Sequence, residues 1–167
     1  MRTSCRFAMA VHVLTVLAYH KDQRVTSSWL ASSVNTNPVV VRRLLLTLQA
    51  AGLVKTRRGA GFGSCLAHPP GHIPLARVFR AVETDEPFVM PRSKPNPECP
   101  VGQCIESELH QIFRSARTAL EHELGKTTLA DILGKVHECC DEARTGSRPA
   151  VNHNRNFNLN SSRASAR

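Results

Sequence analysis

Aromatic residues are scarce in this chain of 167 residues, at 5%, with a single Trp and a single Tyr, so the core must be built from aliphatic side chains. No apolar run is long enough to cross a bilayer. The stretch from Phe7 to Tyr19 follows Arg2 and Arg6 as a leader would, but His12 interrupts it. No small-x-small cleavage site follows at Tyr19-His20-Lys21-Asp22. A buried helix in a cytoplasmic chain is expected, with reduced thiols and no membrane partner. No Cys and His spacing matches a zinc site, and no nucleophile–base–orienter set is legible, so the chain is not read as an enzyme. Gly59-Ala60-Gly61-Phe62-Gly63 lacks the third glycine of a dinucleotide loop, and two prolines follow where a helix should start.

Acidic residues are nearly missing from the first part. Residues 1–68 hold nine basic side chains and one acid, Asp22, for +8. Residues 69–143 hold eight basic and twelve acidic, for −4, and residues 144–167 hold five Arg and no acid, for +5; the total is +9. A cationic first part on a mildly acidic second part divides polyanion binding from another task.

What is present is ordered by caps and breakers. Thr3 or Ser4 is expected to cap a first helix to about His20, apolar on most sides and hence central. Thr26 or Ser27 caps a short helix ending near Val34. Asn37-Pro38 starts a third helix, since proline at the first position gives up an N–H that would be unpaired anyway. Gly52 stops it after Ala51. Val41, Leu44, Leu45 and Leu48 form its inner stripe, leaving Val39, Val40, Arg42 and Arg43 outward. Leu53–Thr56 and Ser64–Leu66 read as strands around a glycine-rich tip. The order is a helix-turn-helix followed by a wing.

Beyond His68-Pro69-Pro70-Gly71, Pro74 opens a short helix. Five prolines between Pro87 and Pro100 impose an extended loop. A long helix follows from about Gln103 to Leu124, with Ile105, Leu109, Ile112, Phe113, Ala116, Leu120 and Leu124 in steps of three and four. A small monomeric domain has little use for so long a stripe on its own. Thr127 or Thr128 caps a final helix. The Arg- and Ser-rich end is expected to be disordered. The fold class is mainly α with a small β wing: a winged helix-turn-helix over 1–68, a short helix and Pro-rich sensor loop over 69–101, a long dimerisation helix and final helix over 102–143, and a basic tail over 144–167.

A helix fits the major groove of double-stranded DNA. Asn37 starts the reading helix, Val39 and Val40 suit thymine methyls, and Arg42 and Arg43 suit guanine or phosphate. The hydroxyls of Thr26, Ser27 and Ser28 suit phosphate oxygens. Arg57 and Arg58, beside the wing tip, suit a narrow minor groove.

These features resemble the winged-helix transcription regulators of the IscR, NsrR and BadM type, the Rrf-two family. The matching runs are Phe7-Ala8-Met9-Ala10, Asn37-Pro38-Val39-Val40-Val41-Arg42-Arg43-Leu44-Leu45, Ala51-Gly52-Leu53-Val54, Arg58-Gly59-Ala60-Gly61, Arg80-Ala81-Val82-Glu83, Cys99-Pro100-Val101-Gly102 and Thr128-Leu129-Ala130-Asp131, covering about residues 3–140. The resemblance implies a sequence-specific DNA-binding regulator, expected to repress. It implies a homodimer with the long helices packed together, and DNA contacts at Val39, Val40, Arg42, Arg43 and Arg58. Phe62 stands where the family carries a second glycine beside Gly61.

Cluster-binding relatives place three cysteines before the long helix. This chain offers Cys99 and Cys104, with Ser107 three positions further on. No cofactor is expected, and Cys99 and Cys104 are read as a redox sensor at the positive end of the long helix's dipole. The alternative is an iron–sulfur cluster on Cys99, Cys104 and His12 of the other subunit. Cys5 and Cys65 are expected to be small core or strand residues.

Overall fold

The computed structural model describes residues 5–21, 23–57, 63–83 and 88–144. Helix α1 (Arg6–Tyr19) is followed by α2 (Ser27–Val34) and α3 (Pro38–Ala50). Strands β1 (Val54–Arg57) and β2 (Gly63–Leu66) then form an antiparallel pair, with Val54 opposite Leu66 and Arg57 opposite Gly63. After a 3-10 turn come α4 (Leu75–Val82), α5 (Pro100–Gly125) and α6 (Leu129–Arg144). The fold is mainly helical with one small sheet, as expected.

Local chemistry sets most of the boundaries. Thr26 Oγ1 accepts from the N–H of Trp29 at 3.2 Å and starts α2. Asn37 Oδ1 accepts from the N–H of Val39 at 2.8 Å and starts α3, with Pro38 in the first turn. Each cap satisfies an N–H that the helix itself cannot. Gly52 follows α3 at φ +69°, a conformation that costs other residues energy. Thr128 and Asp131 cap α6 reciprocally: Asp131 Oδ2 accepts from the N–H of Thr128 at 2.7 Å, and Thr128 Oγ1 accepts from that of Asp131 at 3.3 Å.

Two expectations are corrected. Helix α5 starts at Pro100, not Gln103, because proline is well suited to a first turn and Cys99 supplies the extended residue before it. Cys5 is exposed rather than part of the core, since it precedes α1 at the N-cap position. Thr3 and Ser4 lie outside the described residues. The N–H of Phe7 donates instead to Glu83 Oε1 at 3.1 Å, across 76 positions of sequence.

One aliphatic core runs through α1, α2, α3, β1 and α4. Leu14, Leu17, Leu30, Leu48, Leu53, Ile73 and Val78 are buried in it, and Val41, Leu44 and Leu45 complete the inner stripe of α3. Each such side chain stabilises the fold by roughly 1.5–3 kcal/mol. Two compact units emerge: Met1–Gly134 contains the core, and Lys135–Arg167 contains the rest of α6 with Cys139 and Cys140. The winged helix is continuous with α4, which packs on both α1 and α3. The disordered tail is expected from residue 144, but Arg144 still closes α6, and residues 145–167 lie outside the described residues.

Candidate nucleic-acid interface

The first turn of α2, the outer face of α3 and the wing converge on one cleft of about 620 Å3. Thr26, Ser27 and Ser28 form one wall, Arg42 and Leu46 a second, and Thr56 and Arg57 a third. The buried stripe of α3 forces its remaining residues outward. Val39 and Val40 are 45% and 40% exposed, although an isolated aliphatic residue gains nothing from water. Arg42 and Arg43 are exposed on the same helix. Thus the structure brings Thr26, Ser27, Ser28, Arg42 and Arg57 to the cleft. Asn37, Val39, Val40 and Arg43 sit on the adjoining outward surface of α3. Arg58 lies outside the described residues.

Electrostatics match the shape. Residues 1–68 carry a single acid, Asp22, against nine basic side chains. The cations of α3 and β1 therefore project their field into solvent, where a polyanion would meet it.

Sequence reasoning overlooked two arginines. Arg77, on α4, donates from Nη2 to the carbonyl of Ala51 at 3.4 Å and sits 3.5 Å from His68 Nε2. It therefore steadies the C-terminal end of α3 and the exit of the wing. Arg24 lies against Gly63 at the foot of the wing. Neither placement has a local sequence signal, because both depend on segments meeting in space.

The second region is α5, about 39 Å long at 1.5 Å per residue. None of its residues is buried. Ile112 is 58% exposed and Leu120 is exposed too, whereas Ile105, Leu109, Phe113, Ala116 and Leu124 are half-buried. Phe113 stacks on Phe88 with ring centroids 5.0 Å apart. Glu121 receives Arg80 of α4 at 3.4 Å and Arg117 at 3.2 Å, which ties α5 to α4.

Cys99 precedes α5 and Cys104 lies in its first turns; both are exposed and free. Helical geometry puts their Cα atoms roughly 8–9 Å apart, beyond the ~7 Å a disulfide spans without backbone movement. A Cβ on Gly102 would collide with the carbonyl of Asn96, so the Pro-rich loop can lie this close to α5 only over glycine. His12 Nε2 is 3.1 Å from Ser33 Oγ, and burial holds its pKa below the ordinary histidine value. No group of three His, Cys, Asp or Glu side chains able to hold a metal converges among the described residues. Two thiolates are an incomplete ligand set for an iron–sulfur cluster, so the residues of one subunit do not fit that group.

Comparison with known proteins agrees with this geometry. A family model described as Rrf2, iron-dependent transcriptional regulator, matches residues 3–135. YwnA of Bacillus subtilis (strain 168), provisionally named an HTH-type transcriptional regulator, is 39% identical over 131 residues, covering 78% of this chain and 96% of its own. A crystal structure provisionally described as a DNA-binding protein is 38% identical with TM-score 0.63, covering 77% of this chain and 98% of that one. IscR of T. potens shares the fold at TM-score 0.61 and 23% identity, covering 83% of this chain and 90% of its own. No described helix is long and apolar enough to cross a membrane. The winged helix-turn-helix, its cationic outer face and these relatives together place the chain in the Rrf2 family of transcriptional regulators, a DNA-binding and non-enzymatic role.

Proposed function

We propose that the protein acts as a homodimeric repressor on a near-palindromic promoter site in double-stranded DNA. The N-terminal part of each α3 enters a major groove, the two grooves lying about 34 Å apart. Val39 and Val40 contact thymine methyls, Arg42 and Arg43 contact guanine edges or phosphates, and Asn37 fixes the start of the helix. Thr26, Ser27 and Ser28 hold a phosphate, and Arg57 and Arg58 reach a minor groove. The α5 helices pair through Ile105, Ile112, Leu120 and their neighbours. The observation that carries this reading is the three-walled cleft, which joins hydroxyls, a helix N-terminus and arginines from separate elements.

Gel-shift titration of the DNA upstream of the protein's own coding sequence tests it. Arg58→Ala should weaken binding, while Arg167→Ala should leave it unchanged. A parent protein that ignores duplex DNA in dilute buffer would overturn the reading.

The exposure of both Cys99 and Cys104 at the start of α5 favours a second layer, a thiol switch. A peroxide would take two electrons and two protons from the pair, forming the S–S bond and water. Because of their separation, that bond requires the first turn of α5 to unwind, and the unwinding would alter the spacing of the reading helices. Equal peroxide response of Cys99→Ser and the parent in a DNA-binding assay would remove Cys99 from this role.

A further inference from the structure

The short segment between α1 and α2 is not a free turn. The N–H of Val25 donates to the carbonyl of Ser64 at 3.0 Å, and the N–H of Ser64 donates back to Val25 at 2.9 Å. The segment is thereby laid antiparallel along the open edge of β2. Val25 and Ser64 are buried, so alternation along an extended chain turns Arg24 outward. Across β2, the register sets Lys55 opposite Cys65 and Arg57 opposite Gly63. Lys55 and Arg57 are exposed two residues apart on β1, on the side opposite to buried Val54.

Gly63 makes this assembly feasible. Its φ is +135°, and a Cβ there would lie 2.9 Å from Arg24 Cβ and 3.1 Å from the Arg24 carbonyl carbon. Backbone cannot give way as a flexible side chain can, so only glycine lets Arg24 seat at the foot of the wing. Three cations thus share one ribbon face. Among the described residues none of the three makes an ion pair. Clustering like charges is unfavourable unless an anion arrives to offset it. The face is also continuous with the cleft above, since Arg57 and Gly63 line both.

We propose that Arg24 and Lys55, flanking the minor-groove Arg57, form a phosphate-binding face that takes the sugar–phosphate backbone of duplex DNA alongside the site read by α3. The inference rests on the DNA-binding reading above and extends it to a contact that is blind to sequence. Phosphate contacts fix register and orientation, and each one made by a cation releases condensed counterions.

The test compares full-length parent, Arg24→Gln, Lys55→Gln, the double variant and Arg24→Lys. Binding is followed by fluorescence anisotropy across a potassium chloride series. One probe is the duplex from the upstream region and the other a mixed-sequence duplex of equal length. Each Gln variant should weaken both probes by a similar factor, roughly threefold to tenfold at low salt, and reduce the slope of log K against log salt by about 0.9. The double variant should reduce it by about 1.8, and Arg24→Lys should keep the parent slope. A double variant with parent affinity and slope overturns this face while leaving the α3 reading intact. Loss confined to the upstream duplex also overturns it, because the residues would then be reading sequence. A parent that binds neither duplex overturns both.

Discussion

The winged helix and α5 solve the same packing problem to different degrees. In α3, four apolar residues are buried, the N-terminus is capped by Asn37, and Gly52 and Arg77 finish the other end. What α3 leaves outward includes two valines, two arginines, Leu46 and Gln49. Helix α5 is twice as long as α3, 26 residues against 13, yet buries none of its side chains within the chain. The winged helix therefore closes its core within one chain, whereas the long helix leaves Ile112 and Leu120 exposed. The second copy proposed above would cover them, because an isologous pairing lets one stripe meet itself.

The same kind of truncation should expose the contrast most strongly. Leu48 is fully buried in α3, so Leu48→Ala should cost roughly 2–5 kcal/mol, independent of protein concentration, in urea unfolding followed by circular dichroism. Ile112→Glu places a charge on the exposed stripe of α5. If a second copy covers that stripe, the variant should sediment at half the parent's mass and lose operator affinity about 100-fold, while its circular dichroism stays helical. Parent-like mass for Ile112→Glu would dissolve the contrast, since α5 would then need no mate.

A smaller effect sharpens the account of the winged helix. Asn37→Ala removes the acceptor for the Val39 N–H. It should cost about 1 kcal/mol of stability and weaken operator binding more than binding to mixed-sequence DNA, because the cap fixes the end of α3 proposed to meet base edges. Equal losses on the two duplexes would place the cap's influence in stability alone.

These cases also mark what a reader of the sequence can and cannot see. Caps act within three residues, so Thr26, Asn37-Pro38 and Gly52 announce α2 and α3 in the primary sequence. The inner stripe of α3 is equally legible, because helical periodicity sorts Val41, Leu44, Leu45 and Leu48 from Val39 and Arg42. The contacts of Glu83 with Phe7, Arg77 with Ala51, and Arg24 with Gly63 are different. Each joins segments between 26 and 76 positions apart and follows from tertiary packing alone. Pro100 is visible in the sequence but does not mark the start of α5, because proline is equally at home in a loop and in a helix's first turn. The stripe of α5 is visible as a repeat, but its unburied state appears only when the rest of the chain is in place.

The smallest expected effect concerns pH and belongs to the first of the two regions. His12 lies 3.1 Å from Ser33, and the His20 ring meets the Trp29 ring edge-on at 4.8 Å, so both tie α1 to α2 within the winged helix. Desolvation lowers the pKa of each below the ordinary histidine value. The folded state therefore prefers both imidazoles neutral. Above about pH 6.5, the value in an unfolded chain, neither state binds the proton and the full stability is present. As pH falls below that value the unfolded chain takes up protons first, so stability declines until the folded pKa values are passed. Both groups retain contact with water, which keeps the effect well below that of Leu48→Ala. In urea titrations at pH 7.5 and 5.5, His12→Gln and His20→Gln should each show a smaller drop in midpoint than the parent. If both variants kept the parent's drop, the acid sensitivity would lie outside the contacts between α1 and α2.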